Sequence, residues 1–233
     1  MLESLKQSVW AANLFLVENH LVLLTWGNVS GRDADTGLVV IKPSGVAYVG
    51  LRPEQMVVVD LDGRVVEGDL RPSSDTPTHL VLYRAFPELG GVAHTHSTHA
   101  TAWAQAGRAL PCYGTTHADS FRGEVPITAP LTDEALAGDY EAKTGEAIVH
   151  AFTRATPALS PREVPAALVV GHGPFTWGAS AAQAAENCLI LEECARMAAL
   201  TEALNPAAAP LSVALRDKHF LRKHGSDAYY GQK

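Results

Sequence analysis

The chain is expected to fold as an α/β protein with a mixed or antiparallel sheet covered by helices. Three observations predict this class. Short strand-like runs are interleaved with helical segments, one pair of runs is joined by a tight hairpin signal, and 47% of the 233 residues are apolar, enough for a sizeable core. No linker-like stretch, internal repeat or low-complexity tract divides the sequence, so residues 1–233 are taken as one domain.

The elements follow in order. Leu2, Leu5, Val9, Ala12 and Leu16 recur at three- and four-residue steps, which predicts an opening amphipathic helix. Strands are expected at 38–41 and 56–60, after which Asp62-Gly63 forms a hairpin turn into Val65-Val66. Pro77 suits the first turn of a helix carrying Leu80, Leu82, Tyr83 and Phe86, with Ser74 or Asp75 near its cap. A strand at 91–96 and helices at 100–106 and 140–152 come next. The apolar strand 167–170 leads into Gly171-His172-Gly173-Pro174. The Ala-rich stretch 179–204 is a helix ending before Pro206, and 213–223 is the last one, followed by a Gly- and Tyr-rich tail.

Charge narrows the function. The formal net charge is -7 and the Lys and Arg residues are scattered, which argues against nucleic acid or an anionic membrane as partner. A local pocket can still be positive, so a small anionic substrate fits. Cys112, Cys188 and Cys194 are odd in number and loosely spaced, as reduced thiols in a cytoplasm are. There is no signal-peptide pattern and no apolar run near the roughly 20 residues that span a bilayer. A soluble, cytoplasmic protein is expected.

The strongest chemical feature is Gly91-Val92-Ala93-His94-Thr95-His96-Ser97. Residues two apart on a strand face the same way, so His94 and His96 can point at one ion. His172 ends an apolar strand between two glycines, where close packing can aim an imidazole inward. Asp75 can supply a fourth, oxygen ligand. Three imidazoles and a carboxylate suit Zn²⁺, with Mn²⁺ or Co²⁺ as substitutes. His20, His79, His150 and His224 carry no local pattern and are read as surface or packing residues. His99 is read as a supporting or helix-surface residue, because a strand ending at Ser97 would aim it poorly.

Three polar, glycine- or serine-bearing loops precede or flank this constellation: Thr25-Trp26-Gly27-Asn28-Val29-Ser30, Lys42-Pro43-Ser44-Gly45 and Ser73-Ser74. Each offers hydroxyls, an amide or backbone N–H groups to a phosphate. Lys42, His219 and Arg222 can add positive charge. None of the loops is a nucleotide-binding fingerprint, so together they predict a phosphorylated small molecule.

These motifs, with Pro72-Ser73-Ser74-Asp75-Thr76-Pro77-Thr78-His79, Gly114-Thr115-Thr116-His117-Ala118-Asp119, Asp217-Lys218-His219 and the tail Ala228-Tyr229-Tyr230-Gly231-Gln232, resemble the L-ribulose-5-phosphate 4-epimerases from end to end. Those enzymes are a branch of the class II aldolase family of zinc proteins. The resemblance implies a three-layer α/β/α sandwich with a central, mainly antiparallel sheet, in a C4 homotetramer with active sites between subunits. It makes His94, His96 and His172 zinc ligands, with Asp75 a fourth. It assigns Asn28, Ser44, Gly45, Ser73 and Ser74 to the phosphate. Asp119 and Tyr230 become a pair of acid/bases delivered from a neighbouring subunit, supported there by Thr115, His219 and Arg222. Gly171 departs from the family, which often has a polar residue before the histidine.

Inverting C4 of a 2-ketopentose phosphate explains such a residue set. The C4 proton is not adjacent to the carbonyl, so simple deprotonation is poor chemistry. Cleaving C3–C4 leaves a carbanion beside C2, as a dihydroxyacetone enediolate that a metal ion stabilises. Glycolaldehyde phosphate, tethered by its phosphate, turns its other face and is attacked again. The C4 oxygen lies on opposite sides in the two epimers, so two acid/bases on opposite walls are required. Two rivals stand beside this reading: a class II aldolase of the L-fuculose-1-phosphate type, and a non-enzymatic scaffold on the same fold, like the adducin head domain. Arabinose breakdown is the default pathway, although ascorbate or xylulose routes would use the same reaction.

Overall fold

A computed structural model describes residues 2–231. The opening periodicity forms helix α1 (Glu3–Glu18), which buries Val9, Ala12, Asn13 and Leu16. Its Asn13 amide grips Val29 on both sides, donating to the Val29 carbonyl at 3.0 Å and accepting from the Val29 N–H at 3.0 Å. That ties α1 to the centre of a sheet.

The sheet has seven strands: β1 (Gly27–Arg32), β2 (Val39–Ile41), β3 (Val57–Val59), β4 (Val65–Glu67), β5 (Gly91–Thr95), β6 (Ala166–Val169) and β7 (Gly173–Gly178). Their spatial order is β4-β3-β2-β1-β5-β7-β6, and every neighbouring pair is antiparallel. The remaining helices are α2 (Thr76–Ala85), α3 (Thr98–Gln105), α4 (Thr115–Ala118), α5 (Asp133–Ala137), α6 (Tyr140–Thr153), α7 (Ala181–Leu204) and α8 (Val213–His224).

Alternation along the strands builds one core on each face. Val39, Val57, Val59 and Val92 pack with Leu80, Leu82, Tyr83, Ile148 and Phe152 from α2 and α6. Val40, Val58 and Ala93 pack with Val9, Leu16, Ala184 and Cys188 from α1 and α7. The result is the expected α/β/α sandwich. Burying each such aliphatic side chain contributes about 1.5–3 kcal/mol before entropy is counted.

Two strands depart from expectation. β1 was expected to be a polar loop, yet it sits near the middle of the sheet. Its Gly27-Asn28-Val29-Ser30-Gly31 run lacks apolar alternation because its polar side chains bond to neighbouring elements, Asn28 Nδ2 to Ser73 and Asp75 and Ser30 Oγ to His79 and Tyr83. The glycines admit close neighbours: a Cβ on Gly27, at φ +150°, would lie 2.6 Å from Val22 Cγ1 and 2.8 Å from the His94 carbonyl oxygen. β7 was masked in the sequence by Gly173-Pro174, which nevertheless pairs with β6 through Leu168 and Val169. Among the described residues, no helix is long and apolar enough to cross a membrane.

Candidate functional site

The register of the central strands assembles the site. His94 lies opposite Asn28 on β1 and opposite Phe175 on β7. His96 is one residue past the end of β5, at the corner into α3, and His172 occupies the turn between β6 and β7. Gly171 has φ +69°, a left-handed conformation that suits glycine in this turn and accounts for its place beside the histidine. The three rings converge with centroids 4.8, 4.6 and 5.0 Å apart, and their ligand atoms all lie within 4.8 Å of one another.

Two of these rings are held from behind. His94 Nδ1 lies 2.9 Å from the Pro174 carbonyl, which only accepts, so this nitrogen carries the proton and Nε2 presents its lone pair. His172 Nδ1 lies 3.2 Å from the Tyr140 hydroxyl. Burial pushes His94 down to about 4 and also lowers His96 and His172, which favours the neutral imidazoles a cation requires. Burial opposes ionisation of Asp75, but the neighbouring His94 and His79 rings, the Asn28 amide and His172 outweigh it and keep the carboxyl below its ordinary range. Three nitrogens and a nearby carboxylate are a donor set that fits zinc. Asp75 stands beside the three-histidine cluster rather than within it, with Oδ2 engaged by Asn28 Nδ2 at 2.6 Å.

The loops expected to bind phosphate meet through the backbone. Pro43 bridges Pro72, the Ser44 N–H donates to Arg71 O at 2.9 Å, and the Ser73 N–H donates to Lys42 O at 3.0 Å. Ser44, Gly45 and Ser74 are exposed there, Ser74 just ahead of the Asp75 cap of α2. The Ser44 and Ser74 hydroxyls have no protein partner among the described residues. Asn28, only 3% exposed, also donates to Ser73 Oγ at 3.1 Å, so its amide joins this cradle to Asp75. Its Oδ1 is buried without a partner among the described residues.

Lys42 differs from its expected role as a substrate contact. Its ammonium is buried and donates to the carbonyls of Val46 at 2.6 Å and Pro43 at 3.2 Å, with the Tyr48 ring at 4.7 Å. Burial lowers it to about 8. In this chain it braces the Ser44-Gly45 loop.

The remaining predicted residues form a second cluster. Thr115 opens α4, and its carbonyl accepts the Asp119 N–H at 2.9 Å. Asp119 accepts from Arg222 Nη2 at 2.8 Å, Arg222 Nε at 3.1 Å and His219 Nδ1 at 3.0 Å. Burial works to raise Asp119, but these bonds and the Lys223 and Arg222 charges outweigh it, so the carboxyl titrates below its ordinary value. Tyr230, 58% exposed, lies over Arg222 at 4.8 Å and Lys223 at 4.7 Å. Asp119 and Lys223 line a cleft of about 550 Å³ with Trp177 and Gly178, the far end of β7 from His172. His219 and Arg222 therefore serve Asp119 rather than their own chain's phosphate cradle.

Tyr140 is the supporting residue that sequence reasoning missed, since 32 residues separate it from His172 and no motif links them. His79 proves to be a packing residue, buried with Nδ1 2.8 Å from Ser30 Oγ. His99 bonds through Nδ1 to Glu192 at 2.8 Å, in keeping with a supporting role.

Similarity to known proteins agrees with this geometry. Residues 7–199 match the family described as the class II aldolase and adducin N-terminal domain. The sequence is 54% identical over 232 residues to the L-ribulose-5-phosphate 4-epimerase UlaF of Salmonella paratyphi B, covering 100% of each chain. It is 53% identical, with the same coverage, to the protein of that name in Salmonella paratyphi C. An L-fuculose 1-phosphate aldolase structure superposes with a TM-score of 0.77 over 93% of this chain and 94% of its own, and its 24% identity speaks for the fold alone. The L-fuculose-1-phosphate aldolase of Thermus thermophilus, 26% identical, covers 89% of this chain and 100% of its own with a TM-score of 0.68. The chain belongs to the class II aldolase and adducin N-terminal domain family, where its full-length relatives include proteins named L-ribulose-5-phosphate 4-epimerase.

Proposed function

We propose that this protein interconverts L-ribulose 5-phosphate and D-xylulose 5-phosphate by opening and reclosing the C3–C4 bond, with zinc as its resident metal. The observation that carries the proposal is the convergence of three imidazoles next to a serine-rich anion cradle, in a chain 54% identical throughout to named epimerases. His94, His96 and His172 would hold the ion, with Asp75 closing the set; its charge reaches all three rings. Bound there, a divalent cation supplies Lewis-acid stabilisation for the electron pair left when C3–C4 breaks.

The protein's own groups do the rest. Ser44, Gly45, Ser73 and Ser74, at the positive end of α2, hold the phosphate. The C4 fragment thus stays in place while its aldehyde turns over. Asn28 keeps Asp75 and Ser73 in register, and Lys42 keeps the Ser44 loop shaped. Asp119 and Tyr230 exchange the proton of the C4 oxygen, one on each side. In the forward direction the hydroxyl proton leaves and the C–C electrons move towards C2. After rotation, C3 attacks the other face and the oxygen regains a proton. The distance implied by opposite ends of β7 supports delivery of Asp119, Tyr230, Thr115, His219 and Arg222 from a neighbouring subunit of a homotetramer.

The test is a coupled assay of zinc-loaded protein on L-ribulose 5-phosphate, following D-xylulose 5-phosphate and free dihydroxyacetone. Xylulose phosphate with little dihydroxyacetone, lost with a chelator, is expected. Dihydroxyacetone as main product would make the protein an aldolase, and no zinc and no turnover would make it a scaffold. Mixing dissociated His96→Asn and Asp119→Asn subunits, each inactive alone, should regain activity only if sites are shared.

A further inference from the structure

His94 and His172 each have a partner behind the ring, but His96 has none among the described residues. It is exposed and lies beyond the last residue of β5, so ladder hydrogen bonds do not fix it. Its placement depends on the corner between β5 and α3. The natural cap of α3 is Ser97, yet the Ser97 side chain makes no cap bond and instead accepts from Thr95 Oγ1 at 3.2 Å. The cap comes from elsewhere in the chain. Glu192 Oε1 accepts the His99 N–H at 2.8 Å and the His99 Nδ1–H at 2.8 Å, while Oε2 accepts the Ala100 N–H at 2.9 Å.

We infer that Glu192 is a positioning residue for the metal centre, holding the β5–α3 corner so that His96 meets His94 and His172. This rests on the reading of the three histidines as a metal site. An anionic carboxylate suits the positive end of a helix, and its three bonds leave the corner little freedom. The carboxylate stands on a rigid support. Helix α7 is tied to β7 by Thr176 Oγ1 to Ala184 O at 2.8 Å and by Asn187 Nδ2 to Trp177 O at 2.8 Å. It is tied to α3 by Trp103 Nε1 to Ala195 O at 3.0 Å. The sheet, α7 and the cap are thus linked through the corner that carries His96.

The experiment is a zinc competition titration against a chromophoric chelator, with thermal unfolding of each metal-free protein alongside. Wild-type protein without measurable zinc binding would remove the metal-site reading itself. Given wild-type binding, Glu192→Gln and Glu192→Ala should weaken zinc about 10- to 100-fold, the range for groups that orient metal ligands. The glutamine variant keeps the shape and one acceptor and should lose less. In a His96→Ala background the same Glu192→Gln change should cost little more, because the ligand it positions is gone. A lower melting temperature with unchanged zinc affinity would make Glu192 a structural cap only and overturn the inference. So would an undiminished loss in the His96→Ala background. Glu202→Gln, on the same helix but bonded to Arg108, should leave zinc affinity unchanged.

Discussion

Replacing Tyr140 with phenylalanine removes one oxygen and leaves the ring in place. For His172 Nε2 to face a cation, Nδ1 must carry the proton and donate it to the Tyr140 oxygen, 3.2 Å away. A neutral hydrogen bond contributes about 0.5–1.5 kcal/mol net. With a cation on Nε2, the Nδ1–H becomes more acidic and the bond charge-assisted, roughly twice as strong. Metal affinity feels only the difference between the two states, about 0.5–1.5 kcal/mol, or roughly 2- to 13-fold in dissociation constant. The metal-free protein should lose about 1–6 °C of melting temperature, since each kcal/mol is about 2–4 °C in a chain of this size. A zinc competition titration of Tyr140→Phe measures the first quantity and calorimetry the second. An unchanged zinc affinity would refute the reasoning that Tyr140 sets the tautomer and direction of His172. So would a loss beyond about 100-fold, which would mean that Tyr140 binds the ion or a substrate directly.

Three further predictions are simpler. Asp119→Asn should lower kcat by about 10²- to 10⁴-fold, the range for a general acid/base, with zinc content unchanged by elemental analysis. Burial holds the ring of His117 at about 4 and that of His79 at about 3, below the usual 6.5, so unfolded chains take up protons first as pH falls. Stability of the metal-free protein should therefore be fullest above about pH 6.5 and decline between there and about pH 3, as denaturant titrations at several pH values would show. Gly27→Ala should destabilise the fold by about 2–6 kcal/mol, adding overpacking against Val22 and the His94 carbonyl to backbone strain at φ +150°, measurable as a lower denaturation midpoint.

What the sequence disclosed followed from local periodicity. His94 and His96 were legible because a two-residue repeat at the end of an apolar strand keeps both rings on one side and His172 adds a third, and α1 because its apolar spacing is helical. The layers were legible from interleaved runs together with family motifs. β1 was hidden because its side chains are chosen for contacts with α1, Asp75 and Tyr83 rather than for alternation. Ser30, for example, bonds to both His79 and Tyr83 at 2.8 Å. The bracing residues were hidden for another reason. Tyr140 and Glu192 act across 32 and 93 residues of chain, and only the packed fold brings them behind a histidine or a helix end. Lys42 shows the reverse problem: a lysine beside an anion loop suggests direct binding, whereas its ammonium turns inward to two carbonyls.

The arrangement also explains why Asn28 occupies the centre of the sheet rather than a loop. The phosphate and the carbonyl end of a pentose phosphate lie several bonds apart, so in the proposed reaction their binding groups must keep a fixed spacing while C3–C4 opens between them. A strand paired on both sides is the stiffest available spacer, and Asn28 on β1 is directly opposite His94 on β5. From that position one amide contacts Ser73 of the anion cradle and Asp75 of the metal side. A loop asparagine could make the same two bonds, but loop motion would alter the distance between the two halves of the site. The hydrophobic alternation missing from β1 is thus the cost of a rigid polar link between Ser73 and Asp75. In the proposed reaction that link would let one fragment rotate while the other stays held, as an epimerase requires and an aldolase releasing both does not.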